Sequence, residues 1–132
     1  MEAEHAPTIL LAEDNEANRL VATTILDTLG YHCEVAHTGE EVLEKIKQHS
    51  FDLVLMDVQM PVLDGYKATR IIREDEARQH KRKLPIIGLT AHVLAGDKEK
   101  CLQAGMDDYI AKPFHTDDLQ DKLQQYIPML AA

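Results

Sequence analysis

A doubly wound, five-stranded parallel α/β fold is what this sequence predicts, and three observations carry the prediction. Five short apolar or β-branched runs recur along the 132 residues. Each is followed by a stretch whose apolar residues return every three or four positions, as on one side of a helix. Parallel neighbours need such helical crossovers, and each crossover covers one face of the sheet. The first, third and fourth runs show little alternation, as expected of strands buried on both faces.

The elements follow in order. Thr8–Ala12 is the first strand and ends in Glu13 and Asp14. From Glu16 to Leu29 a helix is predicted from Ala17, Leu20, Val21, Thr24, Ile25 and Leu29, with Gly30 as its stop. His32–Ala36 alternates weakly as a second strand. Thr38-Gly39-Glu40-Glu41 has the pattern of a capping box, opening a helix with Val42, Leu43 and Ile46 inward. Leu53–Met56 runs straight into Asp57, and Pro61 forbids the strand from continuing. Asp64-Gly65 begins a third helix with Ala68, Ile71 and Ile72 on its inner face, running out into a polar segment from Glu74 to Lys83. Leu84–Thr90 is the fourth strand, His92–Ala104 a less regular helix stopped by Gly105, and Met106–Ala111 the fifth strand. Thr116 or Asp117 caps a final helix carrying Leu119, Leu123 and Ile127. Residues 1–7 read as a linker or expression remnant, 8–127 as one domain and 128–132 as a tail.

A chain of this length buries roughly two-thirds of its unfolded surface, so it needs no staples. Residues are 45% hydrophobic and 28% charged, which excludes a disordered chain, and no apolar run approaches the ~18 residues of a spanning helix. The balance of 23 acidic against 14 basic residues gives a charge of −9 and argues against nucleic acid as a direct partner or direct membrane contact. Cys33 and Cys101 form no CxxC pair, and the plain reading is two reduced thiols in a cytoplasmic domain. The first residues have neither the basic segment nor the apolar core of a signal peptide.

Ligands of such sheets bind outside the carboxyl ends of the strands. Glu13, Asp14, Asp57, Thr90 and Lys112 all stand there. Singly, each has a plain structural explanation: a turn aspartate, a cap, a salt-bridge partner. Together, three carboxylates on one rim repel and recruit a hard divalent cation, for which magnesium or manganese is suited. With a lysine and a hydroxyl beside it, such a site meets the needs of phosphoryl transfer, and an ionised Asp57 needs no general base to act as nucleophile.

These residues resemble the response-regulator receiver domain, from roughly Thr8 to Ile127. The motifs are Leu11-Ala12-Glu13-Asp14-Asn15, Met56-Asp57-Val58-Gln59-Met60-Pro61 with Asp64-Gly65, Leu89-Thr90-Ala91, and Lys112-Pro113-Phe114. The resemblance implies a flavodoxin-like strand order 2-1-3-4-5. It implies that Asp57 accepts a phosphoryl group from a phosphohistidine, with the metal held by Asp14, Asp57 and the Gln59 backbone carbonyl, and by Glu13 mainly through water. It further implies that Thr90 and Lys112 contact the phosphoryl oxygens, that Lys112-Pro113 is cis, that Thr90 and Tyr109 form a switch, and that Gln59 and His92 tune the acyl-phosphate lifetime. Asn15–Arg19 and the run Leu89–Phe114, with Ala104–Tyr109 inside it, look most like receivers of hybrid sensor histidine kinases. The expected partners are then a histidine kinase phosphodonor domain and a histidine phosphotransfer domain, with the receiver on the cytoplasmic side of a membrane-bound kinase. Such a domain catalyses its own phosphorylation and dephosphorylation without a kinase domain of its own.

Other readings meet contrary signals. An aspartate-nucleophile phosphatase usually carries a second acid where Gln59 stands, and a flavin carrier needs a hydroxyl- and glycine-rich loop where Glu13–Glu16 stand. The seven histidines show no paired-ligand spacing for zinc. Lys81-Arg82-Lys83 reads as a solvated loop. A stand-alone regulator, or a module that sequesters another protein without phosphorylation, remains open as an alternative.

Overall fold

A computed structural model describes residues 7–58, 60, 63–90, 95–112 and 115–127. Strands β1 (Thr8–Ala12), β2 (His32–Ala36), β3 (Leu53–Asp57), β4 (Ile86–Thr90) and β5 (Asp108–Ala111) alternate with helices α1 (Glu16–Thr28), α2 (Gly39–Gln48), α3 (Gly65–Gln79), α4 (Ala95–Ala104) and α5 (Thr116–Tyr126). All neighbouring strands are parallel, in the order β2-β1-β3-β4-β5. The predicted architecture and strand order are therefore those observed.

The period of two along each strand divides the core. Ile9, Leu11, Leu53, Leu55, Ile87, Leu89 and Ile110 pack on one face with Ala22, Leu26, Leu119 and Leu123 of α1 and α5. Leu10, Ala12, Val54, Met56 and Ile86 pack on the other with Val42, Ala68, Ile72 and Cys101 of α2, α3 and α4. Gly88 in β4 leaves room for this second layer, because a Cβ there would come within 2.7 Å of Met106 Sδ and 3.2 Å of Cys101 Sγ.

Two helix starts agree with the sequence: Thr38 accepts from the Glu41 N–H and Asp64 from Lys67, while α1 is capped by Asn15, which accepts from the Asn18 N–H. Two differ. Glu41 reaches back to the His37 N–H rather than to Thr38, so the capping box is displaced by one residue. The α5 cap is His115, whose N–H donates to Asp118.

The α1 face differs more. Ala22 and Leu26 are the buried positions, with Ile25 and Leu29 beside them, while Leu20 and Val21 are 67% and 47% exposed. Two apolar stripes overlap on this helix, and the sheet takes the one at 22, 25, 26 and 29. The stripe at 17, 20, 21 and 24 is left outward.

α3 also continues where a polar connection was expected, because its polar residues are paired inward. Arg73 donates to the Gly105 carbonyl, Glu76 Oε1, the Leu84 carbonyl and Asp107 Oδ2, each at 2.8 Å. Glu76 and Asp107 in turn accept from the Leu84 and Ile86 N–H groups. One guanidinium thus ties α3 to the end of α4 and the starts of β4 and β5. Arg73→Ala is expected to cost about 2–3 kcal/mol in urea denaturation, since it strips charged hydrogen bonds from half-buried carboxylates; a loss under 1 kcal/mol would show that the network contributes little.

A second clamp joins α5 to β5. Lys122 Nζ lies 2.8 Å from Asp108 Oδ2, and the Tyr126 hydroxyl donates to the same carboxylate at 3.1 Å. Burial would raise the Asp108 pKa, but Lys122, the Tyr109 N–H and Tyr126 outweigh it and hold the carboxyl below its ordinary 3.8. A pKa lowered by folding stabilises above the ordinary value, and that stability is lost as pH falls through it. Asp108→Asn is expected to cost about 1–2 kcal/mol at neutral pH and progressively less below pH 4, as read from thermal melts across pH.

Candidate functional site

The carboxyl ends of β1, β3, β4 and β5 converge. Val58 donates to the Leu89 carbonyl at 3.1 Å, which holds the residue after Asp57 against β4. Lys112 donates its backbone N–H to the Thr90 carbonyl at 2.7 Å and so leaves β5 beside the buried Thr90. These bonds place the Lys112 ammonium 3.1 Å from Asp57 Oδ2 and 2.9 Å from Glu13 Oε1. Asp57 is 3% exposed and Glu13 1%.

Glu13, Asp14 and Asp57 each offer a carboxylate oxygen within 4.8 Å of the others, and they form the one such cluster among the described residues. Asp14 is exposed and opens the cluster to solvent. Glu13 Oε2 accepts from the Asn15 N–H at 3.1 Å, and among the described residues the one polar contact of buried Glu13 Oε1 is the Lys112 ammonium at 2.9 Å. Three carboxylates facing one ammonium, with an unused lone pair on a buried oxygen, fit a hard divalent cation of the magnesium class. Burial pulls the Lys112 pKa down, but Glu13 and Asp57 outweigh it and raise it above 10.5. The side chain therefore stays cationic throughout the neutral range.

The predicted set Glu13, Asp14, Asp57, Thr90 and Lys112 is thus gathered on one rim. Tyr109 lies one strand position before Ile110, half-buried against the α2–α4 layer. The expectations for Gln59, for His92 and for the Lys112-Pro113 cis bond fall outside the described residues.

Two residues quoted from sequence only as parts of motifs turn out to support the site. Arg19 Nη1 donates to the carbonyls of Glu13 (3.3 Å) and Asp14 (3.0 Å), bracing the acidic loop from the first turns of α1. Gly65 abuts the acceptor strand so closely that a Cβ would collide with the Asp57 carbonyl oxygen and come within 2.9 Å of Met56 Cγ. The signals were an arginine shortly after the acidic pair and a glycine just past an N-cap, and neither is specific alone. Cys33 is remote from this chemistry; burial, with Glu34, pushes its thiol up to about 11, so it is a poor nucleophile.

A doubly wound α/β protein with a carboxylate cluster, a lysine and a hydroxyl at its strand ends has the parts that a cation and a phosphoryl group require. Residues 9–124 match the response regulator receiver domain, and the chain belongs to that family. It is 41% identical over 127 residues to the signal transduction histidine-protein kinase BarA of Shigella flexneri, covering 96% of this chain and 14% of that protein. It is 45% identical over 111 residues to the sensor protein GacS of Pseudomonas syringae pv. syringae, covering 84% of this chain and 12% of that protein. The chain thus spans about one-seventh or less of these kinases. Among solved structures, it is similar to the receiver domain of sensor histidine kinase PA1611 from Pseudomonas aeruginosa PAO1, which holds a magnesium ion in its active-site cleft (46% identity, TM-score 0.83, 93% of this chain and 98% of that one). It is also similar to the receiver domain of Saccharomyces cerevisiae Ssk1 crystallised with the histidine phosphotransfer protein Ypd1 (30% identity, TM-score 0.86, 96% and 92% covered). The chain is therefore a two-component receiver domain homologous to those of hybrid sensor kinases. No helix among the described residues is long and apolar enough to cross a membrane.

Proposed function

We propose that this receiver is a phosphorelay module in which Asp57 takes a phosphoryl group from a phosphohistidine and passes it to a histidine phosphotransfer partner, within a hybrid sensor kinase whose cytoplasmic part contains residues 8–127. The observation that carries the proposal is the placement of Asp57: a buried carboxylate at a strand end, 3.1 Å from a lysine and within 4.8 Å of two further acids.

In the transfer, an Asp57 carboxylate oxygen forms a bond to phosphorus while the phosphorus–nitrogen bond of the donor histidine breaks, its electron pair returning to the imidazole. Glu13, Asp14 and Asp57, with the Gln59 backbone carbonyl, would hold Mg2+ or Mn2+, which when bound neutralises charge on the transferring phosphoryl oxygens. The Lys112 ammonium and the Thr90 hydroxyl take other oxygens of the same group. Drawing Thr90 inward, with reorientation of Tyr109, biases the face of α4, β5 and α5, a local charge event read out by a bistable surface. Gln59 and His92 set the rate at which water removes the phosphoryl group.

The exposed α1 stripe supports the choice of partner. Leu20 and Val21 stand outward one to two turns beyond the acidic loop, as an apolar landing for a protein that must bring a histidine to Asp57. Leu20→Asp is expected to slow transfer to and from a phosphorylated histidine phosphotransfer domain roughly tenfold or more, as for loss of a central apolar anchor, with labelling by acetyl phosphate retained. Equal transfer rates in both proteins would remove α1 from the interface. Absence of any transfer from a phosphohistidine, with acetyl phosphate labelling intact, would overturn the relay reading.

A further inference from the structure

We propose that a second site, a cleft between α2, α3 and the 81–85 segment, binds an acidic peptide segment that also bears apolar side chains. The cleft has a volume of about 700 Å³ and lies at the amino ends of β3 and β4, reached by Phe51 and Asp52 on one side and Leu84 and Pro85 on the other. The length of β3 separates it from Asp57 by about 15 Å, and none of Glu13, Asp14, Asp57, Thr90 or Lys112 lines it.

Its floor is apolar, formed by Leu43, Ile46, Phe51, Ile71 and Leu84. Ile71, expected on the inner face of α3, is 42% exposed and faces this cleft instead. Its rim is basic. Lys47, Arg78, Lys81, Arg82 and Lys83 are five of the chain's 14 Lys and Arg, against three of its 23 acids.

Three of the five bases are paired, Arg78 and Lys81 with Asp75 at 3.1 and 3.6 Å and Lys83 with Asp107 at 3.4 Å, while the other two acids turn elsewhere: Glu76 to Arg73 at 2.8 Å, and Asp52 to the Thr8 N–H at 2.8 Å. Among the described residues, no carboxylate pairs with Lys47 or Arg82. On a chain of charge −9, two cations without a carboxylate partner thus stand beside an apolar floor.

That combination selects the occupant. A nucleic acid backbone offers anionic charge to the rim but no apolar side chains to the floor, so it uses only part of the site. A nucleotide phosphate would lack a backbone cradle, since no glycine lines the cleft. A peptide alternating Asp or Glu with Leu or Phe satisfies both the floor and the rim.

The test is fluorescence anisotropy with a labelled synthetic peptide of repeated Leu-Glu-Glu-Leu, its Gln-for-Glu counterpart and a DNA oligonucleotide as probes. It is run without magnesium or phosphodonor, so that it stands apart from phosphorylation of Asp57. The acidic peptide is expected to bind roughly tenfold or more tighter than the neutral one, and the Lys47→Glu, Arg82→Glu double variant to lose that preference. In the unmodified protein, amide shifts should fall at Leu43, Ile71 and Leu84 and not at Asp57. Equal binding of the two peptides, preference for DNA, or shifts confined to another face would each overturn the proposal.

Discussion

Lys112→Met is expected to destabilise the protein by about 3–5 kcal/mol in magnesium-free buffer at neutral pH, the usual cost of removing one partner from a buried ion pair. The side chain is 15% exposed, and it faces the buried carboxylates of Glu13 and Asp57. Water cannot take over its role there. A methionine of similar length fills the space, so the loss reports charge rather than packing. Magnesium should restore much of it, because a divalent cation bound to the native cluster supplies the missing positive charge and stabilises by mass action. Urea denaturation with and without magnesium measures both effects. A loss below 1 kcal/mol, or a loss that magnesium does not change, would mean that Glu13 and Asp57 are not electrostatically coupled to Lys112.

Asp57→Asn is expected to abolish phosphoryl acceptance from both acetyl phosphate and a phosphohistidine protein, while the fold is kept. The amide is nearly isosteric and its nitrogen is not a nucleophile, so chemistry is lost without a cavity. Glu13 and Asp14 remain and still offer two carboxylates, so weak magnesium binding should survive. Intact mass spectrometry reads the first expectation and thermal melts in magnesium the second. Strong labelling of the variant would place the acceptor elsewhere.

What could be read from the sequence, and what could not, follows the physics of each signal. Strands ending in Glu13-Asp14, Asp57, Thr90 and Lys112 were legible because parallel topology sends all carboxyl ends to one edge. A one-dimensional list thus became a rim. The outward stripe of α1 was misread because Leu20 and Val21 share helical spacing with Ile25 and Leu29, and only contact with the sheet decides between two overlapping stripes. Glu76 was read only as part of a polar segment, and Arg73 and Asp107 carried no reading of their own, because charged residues are usually solvated. Their burial depends on a mutual pairing between residues 34 positions apart, which no local pattern records. The closeness of Gly65 to the Asp57 carbonyl is likewise a property of packing, although a glycine directly after the Asp64 cap was visible.

The central claim is that Asp57 is the phosphoryl acceptor in a metal-dependent reaction, and borohydride trapping tests it most directly. Acetyl phosphate labelling in magnesium is followed by reduction of the acyl phosphate and peptide mapping by mass spectrometry, which marks the modified aspartate itself. The expected result is reduction at Asp57 alone, lost when magnesium is chelated and absent in Asp57→Asn. A mark on Asp14 or on any other acid, or labelling of Asp57 that persists undiminished without a divalent cation, would contradict the account.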